Sequence, residues 1–390
     1  MKYDRSFFDQ GIDRRGTRCE KWDDPAFCQP GDLPMWVADW DFRCAEPIVD
    51  ALRSRAEHGC YGYSCADSRD QSAFCGYWQR RHGVTIRPED TCMLPCVVTG
   101  LRQAVLTFTE PGDGVVILTP LYAPFYDAIS RSGRVICSVP MTRDENARYQ
   151  IDFEGIKAAL KDGARMILFC NPHNPVSRAW RKEELDRLSA LAEEFDVLLV
   201  SDEIHADFVY SPLTFHSMLD VPAAKDRVIT FAAASKTFNV PGLQQAMAVS
   251  RNADLLRRLK EHMDMQGITS GNAFALPATQ AAYTQCDDWL DGMLCYLEES
   301  REILAGELPA LLPDIVLTPI DATALCWIDL RAYDASSDSI DQKLRAEHLI
   351  LNRGTVFGAE NGNGFMRLNF ACPHASLREG LARLARAMKQ

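Results

Sequence analysis

Residues 166–205 read MILFCNPHNPVSRAWRKEELDRLSALAEEFDVLLVSDEIH. Two apolar runs, Met166–Cys170 and Val197–Ser201, have the length and the Val, Ile and Leu content of strands buried on both faces of a sheet. Between them, Arg181–Phe195 sets Leu185, Leu188, Leu191 and Ala192 at helical spacing and leaves charges elsewhere. Strand, helix, strand at this period points to a βαβ unit and hence to a largely parallel sheet. Similar apolar runs at Val115–Thr119, Val228–Phe231 and Ala246–Ser250 extend that sheet, and the fold class is α/β.

The last hundred residues differ in character. Asp287–Leu312 predicts a long helix, and Ala324–Leu330 and Phe365–Ala371 predict strands, the second preceded by the Gly/Asn-rich turn Gly358–Gly364. The expected division is a large domain over residues 46–286 with a mostly parallel central sheet flanked by helices. A smaller α+β domain is expected from residues 1–45, as an N-terminal arm, together with residues 287–390.

Bulk composition narrows the function classes. The chain has 390 residues, 47% hydrophobic and 25% charged, which is ordinary globular usage. No apolar run nears the roughly 20 residues of a membrane span, and Met1–Arg18 lacks the apolar core of a signal peptide. A soluble, cytoplasmic protein is expected. The net charge of -12 argues against a nucleic-acid partner, which would require clustered Lys and Arg. The 14 cysteines are scattered through apparent core segments without Cys-x-x-Cys pairs, so reduced packing cysteines are expected and no metal site is.

Chemistry concentrates at the carboxyl ends of the predicted strands, where open α/β sheets bind their ligands. Asp202 follows Val197–Ser201, Lys236 follows Val228–Phe231, and Asn174 follows Met166–Cys170. A lysine amine forms an imine with an aldehyde cofactor, and a carboxylate at a pyridine nitrogen keeps that nitrogen protonated. An amide at the ring's phenolic oxygen would fix the ring. Each residue alone reads more simply: a solvated lysine, a capping aspartate, an Asn-Pro turn. Their joint occurrence is what points to one site.

The flanking sequence carries a resemblance. Ser201-Asp202-Glu203-Ile204-His205, Asn171-Pro172-His173-Asn174-Pro175 and Ser235-Lys236-Thr237-Phe238-Asn239 look like the fold-type I enzymes of pyridoxal 5'-phosphate (PLP), in the class I/II aminotransferase superfamily. Leu33-Pro34-Met35-Trp36-Val37-Ala38-Asp39, Tyr61-Gly62-Tyr63 and Gly364-Phe365-Met366-Arg367-Leu368-Asn369 resemble its carbon–sulfur β-lyase subgroup, which includes cystathionine β-lyases. The similarity runs in matching order from about Arg14 to the C-terminus.

The resemblance implies a role for each matching position. Lys236 would be the Schiff-base lysine and proton shuttle, Asp202 the partner of the pyridine nitrogen, and Asn174 that of the phenolic oxygen. Tyr122 would stack on the ring. The backbone of Thr99, Gly100 and Leu101, just before an expected helix, would hold the phosphate at that positive helix end, with the Ser235 hydroxyl. Tyr63 would reach the cofactor of a neighbouring subunit, which makes a homodimer part of the site. Arg367 would clamp the substrate α-carboxylate through its planar fork, with the backbone around Ala38 completing that clamp and Trp36 walling the entrance. His205 stays open between a ring-side hydrogen-bond partner and a packed histidine.

The implied reaction is α,β-elimination from an S-substituted L-cysteine such as cystathionine. Transamination is the alternative, and a PLP-binding regulator without turnover is a third reading. Gln244 stands where ordinary class I aminotransferases carry a phosphate-binding arginine, which agrees with the lyase. Trp40, Ser177 and Cys65-Ala66-Asp67 depart from the subgroup's usual residues near the cofactor or the entrance, and so bear on substrate choice.

Overall fold

The apolar runs read from the sequence lie side by side in one seven-stranded sheet. The computed structural model describes residues 2–224, 226–268 and 271–390. In chain order the strands are β1 (Thr91–Leu94), β2 (Gly114–Thr119), β3 (Val135–Pro140), β4 (Met166–Cys170), β5 (Leu198–Asp202), β6 (Val228–Ala232) and β7 (Ala246–Val249). Their order across the sheet is β1-β7-β6-β5-β4-β2-β3. Pairing is parallel from β3 through to β6, whereas β7 runs antiparallel to both β6 and β1.

The two strands that the apolar pattern does not reveal, β1 and β3, are the edges. A central strand is buried throughout, as every residue of β4 and β6 is, and so reads as an apolar run. β1 alternates between half-buried and buried residues, and β3 exposes Val135, Ser138 and Pro140. Half-covered strands carry mixed sequences that period and length alone do not single out. The helix expected between β4 and β5 spans Lys182–Glu194 and buries Leu185, Leu188 and Ala192.

Register decides where the site falls. Cys170 of β4 lies opposite Asp202 of β5, which lies opposite Phe231 of β6. The carboxyl ends of three neighbouring parallel strands are therefore level, and the loops that leave them open onto one place.

A second sheet, of four antiparallel strands, is ordered Val316–Leu317, Leu325–Asp329, Phe365–Asn369, Asn352–Arg353. Trp327 stacks on Phe365 across its central pair, ring centroids 5.3 Å apart. The 25-residue helix Asp287–Leu311 buries Trp289, Leu290, Met293 and Tyr296, each worth about 1.5–3 kcal/mol of transfer free energy. At its Gly292 a Cβ would stand 2.1 Å from the Tyr3 carbonyl oxygen, so only glycine lets the N-terminal residues lie against it. Strand Leu33–Pro34 pairs in parallel with Leu349–Ile350, which joins the N-terminal segment to the C-terminal one. Among the described residues no helix is long and apolar enough to cross a membrane.

Candidate active site

The level strand ends open on a cleft of about 1060 Å³, which the N-terminal segment and the second sheet close from the other side. Asp202, Lys236, Asn174, Tyr122, Ser235 and Arg367 all line it, as do Trp36, Ala38 and His205.

Asp202 ends β5. Successive side chains of a strand point to opposite faces, and here the alternation separates two acids. Glu203 turns into the scaffold, where Ser217 Oγ (2.6 Å), Met218 N–H (2.8 Å) and Ser201 Oγ (3.1 Å) donate to it. Asp202 turns into the cleft, with one oxygen accepting from Ile204 N–H at 3.0 Å. Burial pushes its carboxyl up to about 7, against the pull of that N–H and of Lys236. A buried carboxylate in this state is completed by a cationic N–H donor.

Lys236 stands in the one-turn helix Ala234–Thr237 that follows β6. Its Nζ donates to the Ala38 carbonyl at 2.5 Å. The turn is also fixed from below: Thr237 Oγ1 donates to Asp207 Oδ2 at 2.6 Å, and Tyr77 OH to Asp207 Oδ1 at 2.6 Å. Burial lowers the amine to about 8, opposed chiefly by Asp39 and reinforced by Arg367. An amine in that range can gain and lose a proton at working pH.

Arg367 lies on strand Phe365–Asn369 and is buried. Its Nη1 donates to Asn174 Oδ1 (3.0 Å), and its Nη2 to the Trp36 carbonyl (2.7 Å) and Asn352 Oδ1 (2.6 Å). The guanidinium carbon sits 4.6 Å from the centre of the Phe357 ring, and Nε is buried without a partner among the described residues. Burial lowers the group to about 10, which leaves it charged at neutral pH. Trp36 stacks on Phe27, centroids 4.5 Å apart, at the cleft wall. The Ala38 carbonyl is taken by the amine, so its N–H is what it can offer a carboxylate.

One expectation needs correction. The helix after β1 spans Val97–Phe108 with Cys96 at its cap, so Thr99, Gly100 and Leu101 lie inside the helix that they were expected to precede. Gly100 N–H is spent inside the helix on the Cys96 carbonyl, and Leu101 is fully buried in the core. Gly100 is there for packing: a Cβ would stand 2.6 Å from Phe231. The cleft is lined instead by Cys96, Val97 and Val98, while Thr99 faces a separate surface hollow. Tyr63, expected to serve a neighbouring subunit, lies outside its own chain's cleft. It is fully exposed on the loop between helices Glu46–Glu57 and Ser68–His82.

His205 is buried, its Nδ1 has no partner among the described residues, and burial lowers it to about 3, so it is neutral. Sequence reasoning missed the anchors of the segment over the amine. Arg14 grips Asp39 through both oxygens (2.8 and 2.5 Å) and Asp41 at 3.0 Å. Buried Lys21 donates to Asp41 Oδ2 at 2.7 Å, and Asn369 Nδ2 holds the Val37 and Asp39 carbonyls. These partners lie far apart in the chain, and no local motif announces them.

The chain's likenesses agree with this arrangement. The sequence profile of the family "Aminotransferase class I and II" matches residues 47–384. Cystathionine beta-lyase PatB of Bacillus subtilis (strain 168) is 40% identical over 98% of this chain and 99% of its own. A PLP-bound putative aminotransferase from Clostridium difficile 630 superposes with a TM-score of 0.95 at 31% identity, covering 98% of this chain and 99% of that one. Cystalysin from Treponema denticola, which contains PLP, gives a TM-score of 0.94 at 29% identity over 100% and 99% of the two chains. With a lysine, an aspartate and an arginine converging at the strand ends of this sheet, and likeness along nearly its whole length, the chain belongs to the aminotransferase class I and II family.

Proposed function

We propose that the protein is a PLP-dependent carbon–sulfur β-lyase. It converts an S-substituted L-cysteine, L-cystathionine among them, with one water into a thiol, pyruvate and ammonium. The observation that carries this reading is the shared cleft of Lys236, Asp202, Asn174 and Arg367. The donor set fits the cofactor. Asp202 is a buried acid with an unusual affinity for a proton, suited to a pyridine N–H. Asn174 has an amide for the phenolic oxygen and Tyr122 a flat ring for stacking. The first N–H groups of helix Val97–Phe108, at Val97 and Val98, and the Ser235 hydroxyl would hold the phosphate.

When bound, PLP supplies an electron sink that acidifies the substrate's α-carbon. Arg367 holds the α-carboxylate and orients the α C–H bond towards Lys236. The Lys236 amine, neutral in part at working pH, would take that proton. The thiol then leaves the β-carbon, with Lys236 as the proton donor within reach. Asp202 would hold a proton at the ring nitrogen, and the enclosing segment Trp36–Trp40 limits water. Tyr63 serves the site of a second copy in a homodimer, a reading supported by its full exposure on a single chain.

The test mixes the PLP-loaded protein with L-cystathionine or an S-alkyl-cysteine and no keto acid. Continuous release of pyruvate and thiol is the expected result. A reaction that stops after one turnover and resumes when a keto acid is added would make the protein an aminotransferase. Absence of reaction in both formats, with cofactor bound, would make it a binding protein.

A further inference from the structure

The Lys236 main-chain carbonyl accepts the Trp40 indole N–H at 2.6 Å. That indole is fully buried and meets Phe208 edge-on, centroids 5.5 Å apart. The same segment holds the lysine at a second point, since the Ala38 carbonyl takes its amine at 2.5 Å. Asn239 closes the unit: its Oδ1 accepts Trp40 N–H at 3.0 Å, and its Nδ2 donates to the Trp40 and Phe42 carbonyls at 2.9 and 3.0 Å. Among the main-chain donors to the Lys236 carbonyl, Phe238 N–H is shared with the Ala234 carbonyl and Asn239 N–H stands farther off at 3.3 Å.

These contacts differ in what the reaction does to them. The amine must leave Ala38 to move a proton. The indole bond is to the main chain and can persist through the cycle. We propose that Trp40 is a positioning residue for the lyase reaction, whose indole N–H fixes the main chain of Lys236 so that the amine swings about a stationary Cα. The inference rests on the lyase reading above. Phenylalanine or methionine could occupy much of the same space but has no N–H to give. Without it the turn gains freedom, and the amine spends less time within reach of the α-carbon. Because the bond is to Lys236, the loss falls on kcat rather than on KM.

The experiment compares the wild-type holoenzyme with Trp40→Phe, using L-cystathionine as substrate and circular dichroism to confirm folding. Loss of one hydrogen bond predicts a fall of about fivefold in kcat with KM within about twofold. The pH midpoint of the bound cofactor's absorbance should move as well, a change that altered packing remote from the lysine would not produce. Benzothienylalanine at position 40 replaces only the N–H by sulfur. It should reproduce both effects, and it carries the test if the phenylalanine variant does not fold. A folded variant lacking the N–H with unchanged kcat and midpoint overturns the proposal, as does a loss confined to KM. A wild-type protein that binds no cofactor or makes no pyruvate defeats the lyase reading itself.

Discussion

Arg367 donates to Asn174 Oδ1 at 3.0 Å, so the group expected to grip a carboxylate is bonded to the group expected to face the cofactor ring. Arg367 lies on the second sheet and Asn174 in the turn that leaves β4, and substrate orientation is thereby tied to ring position. Lysine in place of Arg367 would keep a charge but lose the planar fork that reaches Asn174, Asn352 and the Trp36 carbonyl together. Losing two charge-assisted bonds at about 1.5–3 kcal/mol each should lower kcat/KM by about 100-fold or more for Arg367→Lys, mostly through KM. Steady-state kinetics with L-cystathionine check this. Asn174→Ala should show part of the same KM effect, and a double-mutant cycle should reveal coupling; strict additivity would mean the bond has no role in orientation.

The amine of Lys236 titrates near 8 because burial disfavours its charge. Condensation with an aldehyde needs the neutral form. At pH 7 about a tenth of such an amine is neutral, some 300-fold more than for a lysine at its ordinary value of about 10.5. The rate at which the cofactor-free protein captures PLP should therefore rise with pH and level off above about 8. Stopped-flow absorbance measures it directly. A rate still climbing steeply at pH 9.5, as for an ordinary lysine of pKa about 10.5, would remove the case for an activated amine.

Asp202 makes the opposite demand on stability. Its folded-state value near 7 lies above the unfolded carboxylate value of about 3.9. Between those values the folded chain holds the proton and the unfolded chain does not, so the Asp202 contribution to cofactor-free stability falls as pH rises through the window. A protonated ring nitrogen beside the carboxylate would cancel that loss. The melting temperature of the cofactor-free protein should thus drop between about pH 4 and 7, and the drop should shrink in Asp202→Asn and in the PLP-loaded protein. If all three proteins trace the same pH curve, Asp202 is not the acid that the ring completes.

Much of this arrangement is legible in the amino-acid sequence, and for identifiable reasons. β4, β5 and β6 announce themselves because strands covered on both faces must be apolar throughout. Asp202, Lys236 and Asn174 stand at their carboxyl ends because that is where such sheets open. The start of helix Val97–Phe108 is harder to place because its cap is Cys96, which makes no side-chain capping bond, and Thr-Gly looks like the natural boundary. Gly100 is a packing glycine against Phe231, a role that only the third dimension reveals. The Arg14–Asp39 and Trp40–Lys236 bonds join residues 25 and 196 positions apart. Nothing periodic or local encodes such a pairing.

Tyr63 gives the remaining prediction, because the role proposed for it requires a site shared between two copies. On a single chain its side chain is fully exposed and outside the cleft. If it serves the neighbouring copy, each site of a twofold dimer combines one chain's Lys236 with the other chain's Tyr63. Lys236→Ala and Tyr63→Ala should each abolish or cripple activity alone. In a hybrid of the two, one site carries both defects and the other carries neither. Co-refolding equal amounts should then restore about a quarter of wild-type activity, since half the dimers are hybrids with one intact site of two. If Tyr63 acted within its own chain, both sites of the hybrid would be defective and mixing would restore nothing. Activity measured on the mixture, with dimer formation verified by light scattering, separates the two arrangements.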